Sequence, residues 1–152
     1  RKVKPTLIGK KAPEFTMVTP DGERVSLRDI KAKYTILFFW DPDCSHCKKE
    51  VPKLTEFYNE YKEKGVEIVA VCNRFQDEVP KCWDYVEDKE IMKEWTLLVD
   101  PLHKSRYKIK YNLQSYPQLF LLDENKEIVF KKIKTNQLYE IMNMLENKEA
   151  KK

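Results

Sequence analysis

Residues 34–40 (YTILFFW) form an uncharged run dominated by β-branched and aromatic side chains, the pattern of a strand buried on both faces. The run stops at Asp41-Pro42-Asp43, which has turn and helix N-cap character. From Cys44 the period changes. Cys47, Val51, Leu54, Tyr58 and Tyr61 recur at steps of four, three, four and three, so they share one face of a helix. Lys48, Lys49, Glu50, Lys53, Glu56, Glu60 and Lys62 fall largely elsewhere and face water. Gly65 suits the position after the last helical turn, and residues 66–72 (VEIVAVC) then predict a second buried strand. Strand, helix and strand in this order predict a right-handed βαβ unit with parallel strands.

The flanking segments extend the sheet. Residues 15–18 and 25–27 read as the arms of a hairpin around the turn Thr19-Pro20-Asp21-Gly22. Residues 80–89 read as a helix with Pro80 in its first turn. Residues 96–99 read as a short strand and 103–111 as a short helix. Residues 118–122 and 127–131 predict two strands joined tightly through 123–126. A closing helix is expected over 135–146, with Leu138, Ile141, Met142 and Leu145 inward. The sum is an α/β domain over residues 8–146, a mixed central sheet flanked by helices with an extra N-terminal hairpin. Residues 1–7 and 147–152 are expected to be flexible ends.

Length and composition fit that picture. The 152 residues, 41% apolar and 36% charged, allow one domain with its own core. No run of about 18 apolar residues occurs, so no membrane insertion by this domain is expected. Arg1-Lys2-Val3-Lys4-Pro5 leads into no apolar stretch of a signal peptide. The net charge of +4 comes from 29 basic and 25 acidic residues interspersed along the chain. Nucleic-acid binding would need a concentrated basic stripe and is not expected.

The chemistry lies in the cysteines. Of four, Cys44 and Cys47 are three apart, while Cys72 and Cys82 are ten apart and supply no second Cys-x-x-Cys. A structural zinc site usually needs two close-spaced ligand pairs, so no metal and no organic cofactor are expected. Two cysteines three apart at a helix start can close a disulfide with little strain, and the helical phase makes them unequal. Cys47 belongs to the buried stripe, whereas Cys44 sits at the mouth of the helix as the accessible nucleophile. Unpaired N–H groups at a helix start favour a thiolate there. A protonated His46 would add to this, and Asp41 and Asp43 would oppose it. Cys72 ends a buried strand and reads most simply as a core residue; a disulfide with Cys82, on the next helix, is the less favoured alternative.

These residues resemble the thioredoxin superfamily, specifically its extracytoplasmic TlpA/ResA-like branch, over nearly the whole chain. Gly9-x-x-Ala12-Pro13-x-Phe15, followed by the Asp21-Gly22 hairpin, is similar to that branch and to peroxiredoxins. The segment from Phe39-Trp40 to Cys47, with Lys48 next and Pro52 five beyond, resembles the thioredoxin active-site helix. The resemblance implies a thiol–disulfide oxidoreductase with Cys44 and Cys47 as catalytic pair. Ser45, His46, Asp43 and Trp40 would modulate it. Tyr116-Pro117 stands at the family's cis-proline and would bind an extended substrate segment. Implied partners are protein disulfide or dithiol substrates and a redox partner that recycles the pair. The implied setting is the periplasm or extracytoplasmic envelope, with the C-terminal domain of a longer anchored protein as one option.

Three departures stand out. Phe38 replaces the buried Asp that thioredoxin carries six residues before its first cysteine, and Glu78 is a candidate substitute against a surface reading. Asp43 stands where Trp is common. Ser45-His46 replaces Gly-Pro and resembles protein disulfide isomerase and DsbA, the more oxidising members, while the Asp pair pulls the other way. The direction of electron flow stays open.

Two other functions are weighed. A peroxiredoxin-type peroxidase would place Pro seven and Thr or Ser three residues before its cysteine. Those places hold Leu37 and Asp41 before Cys44, and Trp40 and Cys44 before Cys47. A non-catalytic binding module is the alternative of another class, and the Cys-x-x-x-Cys of copper-delivery relatives is one residue longer than the spacing here.

Overall fold

Strand β3 (Tyr34–Trp40), helix α1 (Ser45–Tyr61) and strand β4 (Val66–Cys72) form the expected βαβ unit, with the two strands parallel from Tyr34 opposite Val66 to Trp40 opposite Cys72. The computed structural model describes residues 6–88 and 90–151, the Ile91 side chain excepted. Around that unit the chain adds β1 (Thr16–Val18), β2 (Arg24–Ser26), α2 (Val79–Glu87), β5 (Thr96–Val99) and α3 (Tyr107–Lys110). It finishes with β6 (Gln118–Leu122), β7 (Ile128–Lys131) and α4 (Thr135–Ala150). The sheet has seven strands in the order β2-β1-β5-β4-β3-β6-β7. Its β3–β4 and β4–β5 pairs are parallel and the others antiparallel.

Alternation along β3 builds two cores. Ile36, Phe38 and Trp40 face α1 and α4 and pack with Cys47, Val51, Leu54, Phe57, Leu138 and Met142. Leu37 and Phe39 face the other way, toward Phe15, Met17, Tyr107 and Tyr111. Burying each such aliphatic or aromatic side chain is worth about 1.5–3 kcal/mol, so β3, buried at every position, anchors both halves.

The structure corrects several sequence expectations. Phe57 is fully buried and Tyr58 only half-buried, because Phe57 packs on Tyr61 and on Tyr139 of α4, whereas the Tyr58 hydroxyl donates to the Glu94 carbonyl at 3.4 Å at the edge of the helix face. Only Tyr107–Lys110 is helical within 103–111. His103 and Arg106 both have positive φ there, which breaks an α-helix. Helix α4 continues to Ala150, past the end expected at 146. Its last turn is tied down by Glu149, which pairs with Lys33 at 2.5 Å and accepts a hydrogen bond from the Tyr34 hydroxyl at 3.4 Å. Of the ends expected to be flexible, residues 1–5 and 152 lie outside the described residues.

One glycine is required by geometry. Gly65 follows α1 with φ +90°, and a Cβ there would lie 2.8 Å from Lys33 Cβ. Its carbonyl accepts from the N–H groups of Lys33 and Tyr34, so the backbone is held at the start of β3. Gly65→Ala should destabilise the protein by about 1–2 kcal/mol or more through the left-handed backbone and the clash. Chemical denaturation would show it as a lower midpoint with an unchanged slope.

Candidate active site

The C-terminal ends of parallel β3 and β4 meet the N-terminus of α1, and the cysteine pair sits there. Asp41-Pro42-Asp43 turns the chain: the Cys44 N–H donates to the Asp41 carbonyl at 3.1 Å, and the Asp43 N–H donates to Asp41 Oδ1 at 2.8 Å. Cys44 is the N-cap of α1 and its Sγ accepts from the Cys47 N–H at 3.1 Å. Aromatic and aliphatic neighbours enclose Cys47 completely, while Cys44 is part-exposed, and both are free thiols. Burial, then the Cys44 hydrogen bond, pushes the Cys47 thiol far above its ordinary range, and a backbone hydrogen bond with Asp41 offsets this only in part.

That shift has a consequence for stability. The folded reduced protein holds the Cys47 proton more tightly than the unfolded chain does, so its stabilising effect is intact below about pH 8.5. It declines as pH rises above that value toward the folded-state value. Reduced protein should therefore lose stability with rising pH in this window relative to protein with Cys44 and Cys47 joined, which has no thiol to titrate. Paired urea melts at pH 7 and 9.5 would measure the difference.

Across the site, Tyr116-Pro117 is a cis peptide bond, and the Cys44 thiol lies 3.5 Å from the Tyr116 carbonyl oxygen, toward which it donates. The Tyr116 phenol is pushed up to about 12, chiefly by burial. Its hydroxyl lacks a well-formed hydrogen bond, although Tyr107 is close enough to act on it. A cleft of about 350 Å³ runs beside this loop, lined among others by His46, Lys49, Lys134, Tyr116 and Pro117.

The other expected residues are placed as follows. Ser45 and His46 are exposed on the first turn of α1, and Trp40 is buried beneath it. The Trp40 ring packs on Tyr85 of α2 at 5.4 Å, and its indole N–H has no hydrogen-bond partner among the described residues. Phe38 lies in the same core cluster as Cys47, so that side of the pair is apolar. Glu78 is not a buried substitute carboxylate. Its side chain is half exposed and ion-paired with Arg74 and Lys81, which hold its carboxyl below the usual range.

Cys72 is not the free core residue that the sequence suggested: it forms a disulfide with Cys82 that ties the end of β4 to α2, because α2 packs over that end of the strand. Sequence reasoning missed Arg74. Its Nη2 reaches Asp41 Oδ1 at 2.8 Å and Asp43 Oδ2 at 2.5 Å, and its Nη1 reaches Glu78 Oε1 at 2.7 Å. Asn73 adds a hydrogen bond to Asp41 Oδ2 at 3.1 Å. Since Trp40 pairs with Cys72, residues just past β4 must lie beside the Asp41–Asp43 turn. A lone arginine there, facing two aspartates, was the available signal.

Among the described residues no cluster of His, Cys, Asp and Glu could hold a metal ion, and no helix is long and apolar enough to cross a membrane.

Comparison with known proteins agrees with the geometry. Residues 8–131 match the AhpC/TSA family. Thiol-disulfide oxidoreductase ResA of Bacillus cereus is 35% identical over 126 residues, covering 82% of this chain and 68% of that protein. The crystal structure of a domain of a possible thiol-disulfide isomerase from Cytophaga hutchinsonii superposes with a TM-score of 0.88 at 35% identity, covering 99% of this chain and 100% of that one. The thioredoxin domain of a Bacteroides vulgatus thiol-disulfide oxidoreductase gives 0.80 at 28% identity, covering 91% and 97%. The chain belongs to the AhpC/TSA family within the thioredoxin superfamily, as a TlpA/ResA-like thiol–disulfide oxidoreductase.

Proposed function

We propose that Cys44 is the attacking thiol and Cys47 the resolving thiol of a disulfide exchange with partner proteins. The observation that carries this is their unequal exposure at one helix start, with Cys44 part-exposed against the cis Tyr116-Pro117 loop and Cys47 enclosed. The Cys44 thiolate attacks one sulfur of a partner disulfide, the partner's other sulfur leaves as a thiolate and takes a proton, and a mixed disulfide forms. Cys47 then gives up its proton and attacks Cys44 Sγ. The second partner thiolate leaves, and two electrons have passed to the partner while a Cys44–Cys47 bond forms. Run backwards, the same steps oxidise a dithiol, and a second redox partner resets the pair.

Pro117 and the Tyr116 backbone would align an extended segment of the partner along the cleft, with His46 at its edge. Ser45, Asp43 and Trp40 shape the surroundings of the pair without bonding to either sulfur. An extracytoplasmic envelope setting fits the second disulfide, Cys72–Cys82, because such bonds persist in oxidising compartments.

Trapping tests the assignment. Cys47→Ser protein mixed with a disulfide-bonded peptide should accumulate a mixed disulfide, and peptide mapping should find the partner on Cys44. A partner found on any other cysteine would defeat it.

A further inference from the structure

The Asp41–Asp43 turn presents a conflict. Two carboxylates stand just before Cys44 in the chain, and nearby negative charge disfavours a thiolate. Asp43 is adjacent to Cys44 in sequence, and the Asp41 carbonyl receives the Cys44 N–H. Arg74 meets both carboxylates with one nitrogen, at 2.8 and 2.5 Å, while its other terminal nitrogen takes Glu78. The Arg74 side chain is 15% exposed and that of Asp41 17%, so this pair is shielded from water more than an ordinary surface salt bridge, while Asp43 and Glu78 keep much of their carboxyl surface in water. Burial opposes the Arg74 charge, and Glu78, Asp41 and Asp43 together overcome that, holding the guanidinium firmly protonated.

Arg74 is itself held in place. It lies within the ten-residue separation closed by Cys72–Cys82. The Asn73 N–H before it donates to the Trp40 carbonyl at 2.8 Å. The Arg74 carbonyl lies 3.4 Å from His103 Nε2. A planar guanidinium, with its donors in a fixed fork, suits three carboxylates from one position.

We propose that Arg74 is a positioning residue of the exchange reaction: it pairs with the Asp41 and Asp43 carboxylates and neutralises the charge that would otherwise suppress the Cys44 thiolate. This rests on Cys44 being the attacking thiol.

Other charged or titratable groups face the same place. Cys47 of α1 gives its N–H to Cys44 Sγ, the Tyr116 carbonyl of the loop before β6 meets the Cys44 thiol, Tyr107 of α3 donates to Asn73 beside Asp41, and Lys81 comes from α2. Lys81 lies 3.7 Å from Asp43 but its side chain is half exposed, so it is a weak substitute for Arg74.

The test is the rate of Cys44 alkylation by iodoacetamide in the full reduced chain, read by peptide mapping. Arg74→Met should slow it at pH 7 by on the order of tenfold, one pKa unit's worth of thiolate. The loss should vanish at alkaline pH, where the thiol ionises unaided, and should be reversed when Asp41→Asn and Asp43→Asn are added. Asp41→Asn keeps a side-chain oxygen that can accept the backbone N–H of residue 43, so the turn survives that change. An unchanged rate in folded Arg74→Met would overturn the proposal. So would a loss that persists at alkaline pH and in the neutralised background, since a purely structural role predicts that. Should Arg74→Met not fold, Asp41→Asn/Asp43→Asn with Arg74 intact decides the matter. It should alkylate at pH 7 at least as fast as the original chain, and a clearly slower rate would overturn the proposal. Exchange that survives Cys44→Ser would instead overturn the assignment of Cys44.

Discussion

Cys44→Ser should reduce disulfide exchange by about a thousandfold or more, to the uncatalysed background, because a serine hydroxyl cannot form the mixed disulfide. Cys47→Ser should behave differently. It leaves the part-exposed Cys44 thiol at the helix start in place, so the first attack proceeds and the reaction stops at the mixed disulfide. Steady-state turnover is lost in both variants, but a single-turnover assay separates them: no product from the first, one equivalent of stalled adduct from the second. The physical basis is burial. Cys47 is enclosed by apolar neighbours and its proton is tightly held, so it reacts with a sulfur delivered next to it and not with one arriving from solvent. Equal losses of first attack in the two variants would mean that exposure does not divide the labour.

Cys72→Ala/Cys82→Ala should cost about 2–3 kcal/mol of stability, the loop-closure value for a separation near ten residues. For a domain of this size that lowers the melting temperature by roughly 5–10 °C. The bond joins the last residue of β4 to the buried side of α2, and both sulfurs are fully enclosed. Native cross-linking there restricts the unfolded chain and also fixes α2 over Trp40 through Tyr85. Differential scanning calorimetry of the two proteins, both with Cys44 and Cys47 reduced, would measure the difference. A shift of a degree or less would show that the bond does not form or constrains nothing.

The βαβ unit was legible because its two strands are continuous apolar runs and its helix carries a clean stripe, with β3 and β4 matching residues 34–40 and 66–72. The inequality of Cys44 and Cys47 was legible for the same reason, since helical phase alone separates a stripe residue from an N-cap. Less visible was everything that depends on chain segments returning from a distance. Spacing puts Tyr58 on the stripe of α1, and Phe57 is buried instead because Tyr139 of α4 packs on it. The shortened α3 follows from positive φ at His103 and Arg106, residue types that carry no strong breaking signal. The Cys72–Cys82 bond was an open pairing until α2 was seen to lie over β4. Arg74 stayed hidden because a single basic residue in a charged loop is indistinguishable from a solvated one until strand register places it beside Asp41 and Asp43.

The most direct test of Cys44–Cys47 as the working centre is a titration of the purified chain against glutathione buffers of graded potential, with acid quenching and mapping of every cysteine. The predicted result is that Cys44 and Cys47 change state together as one two-electron couple while Cys72–Cys82 stays joined. The contradicting result is that Cys44 and Cys47 remain unlinked at every potential, or that Cys72–Cys82 is the pair that exchanges.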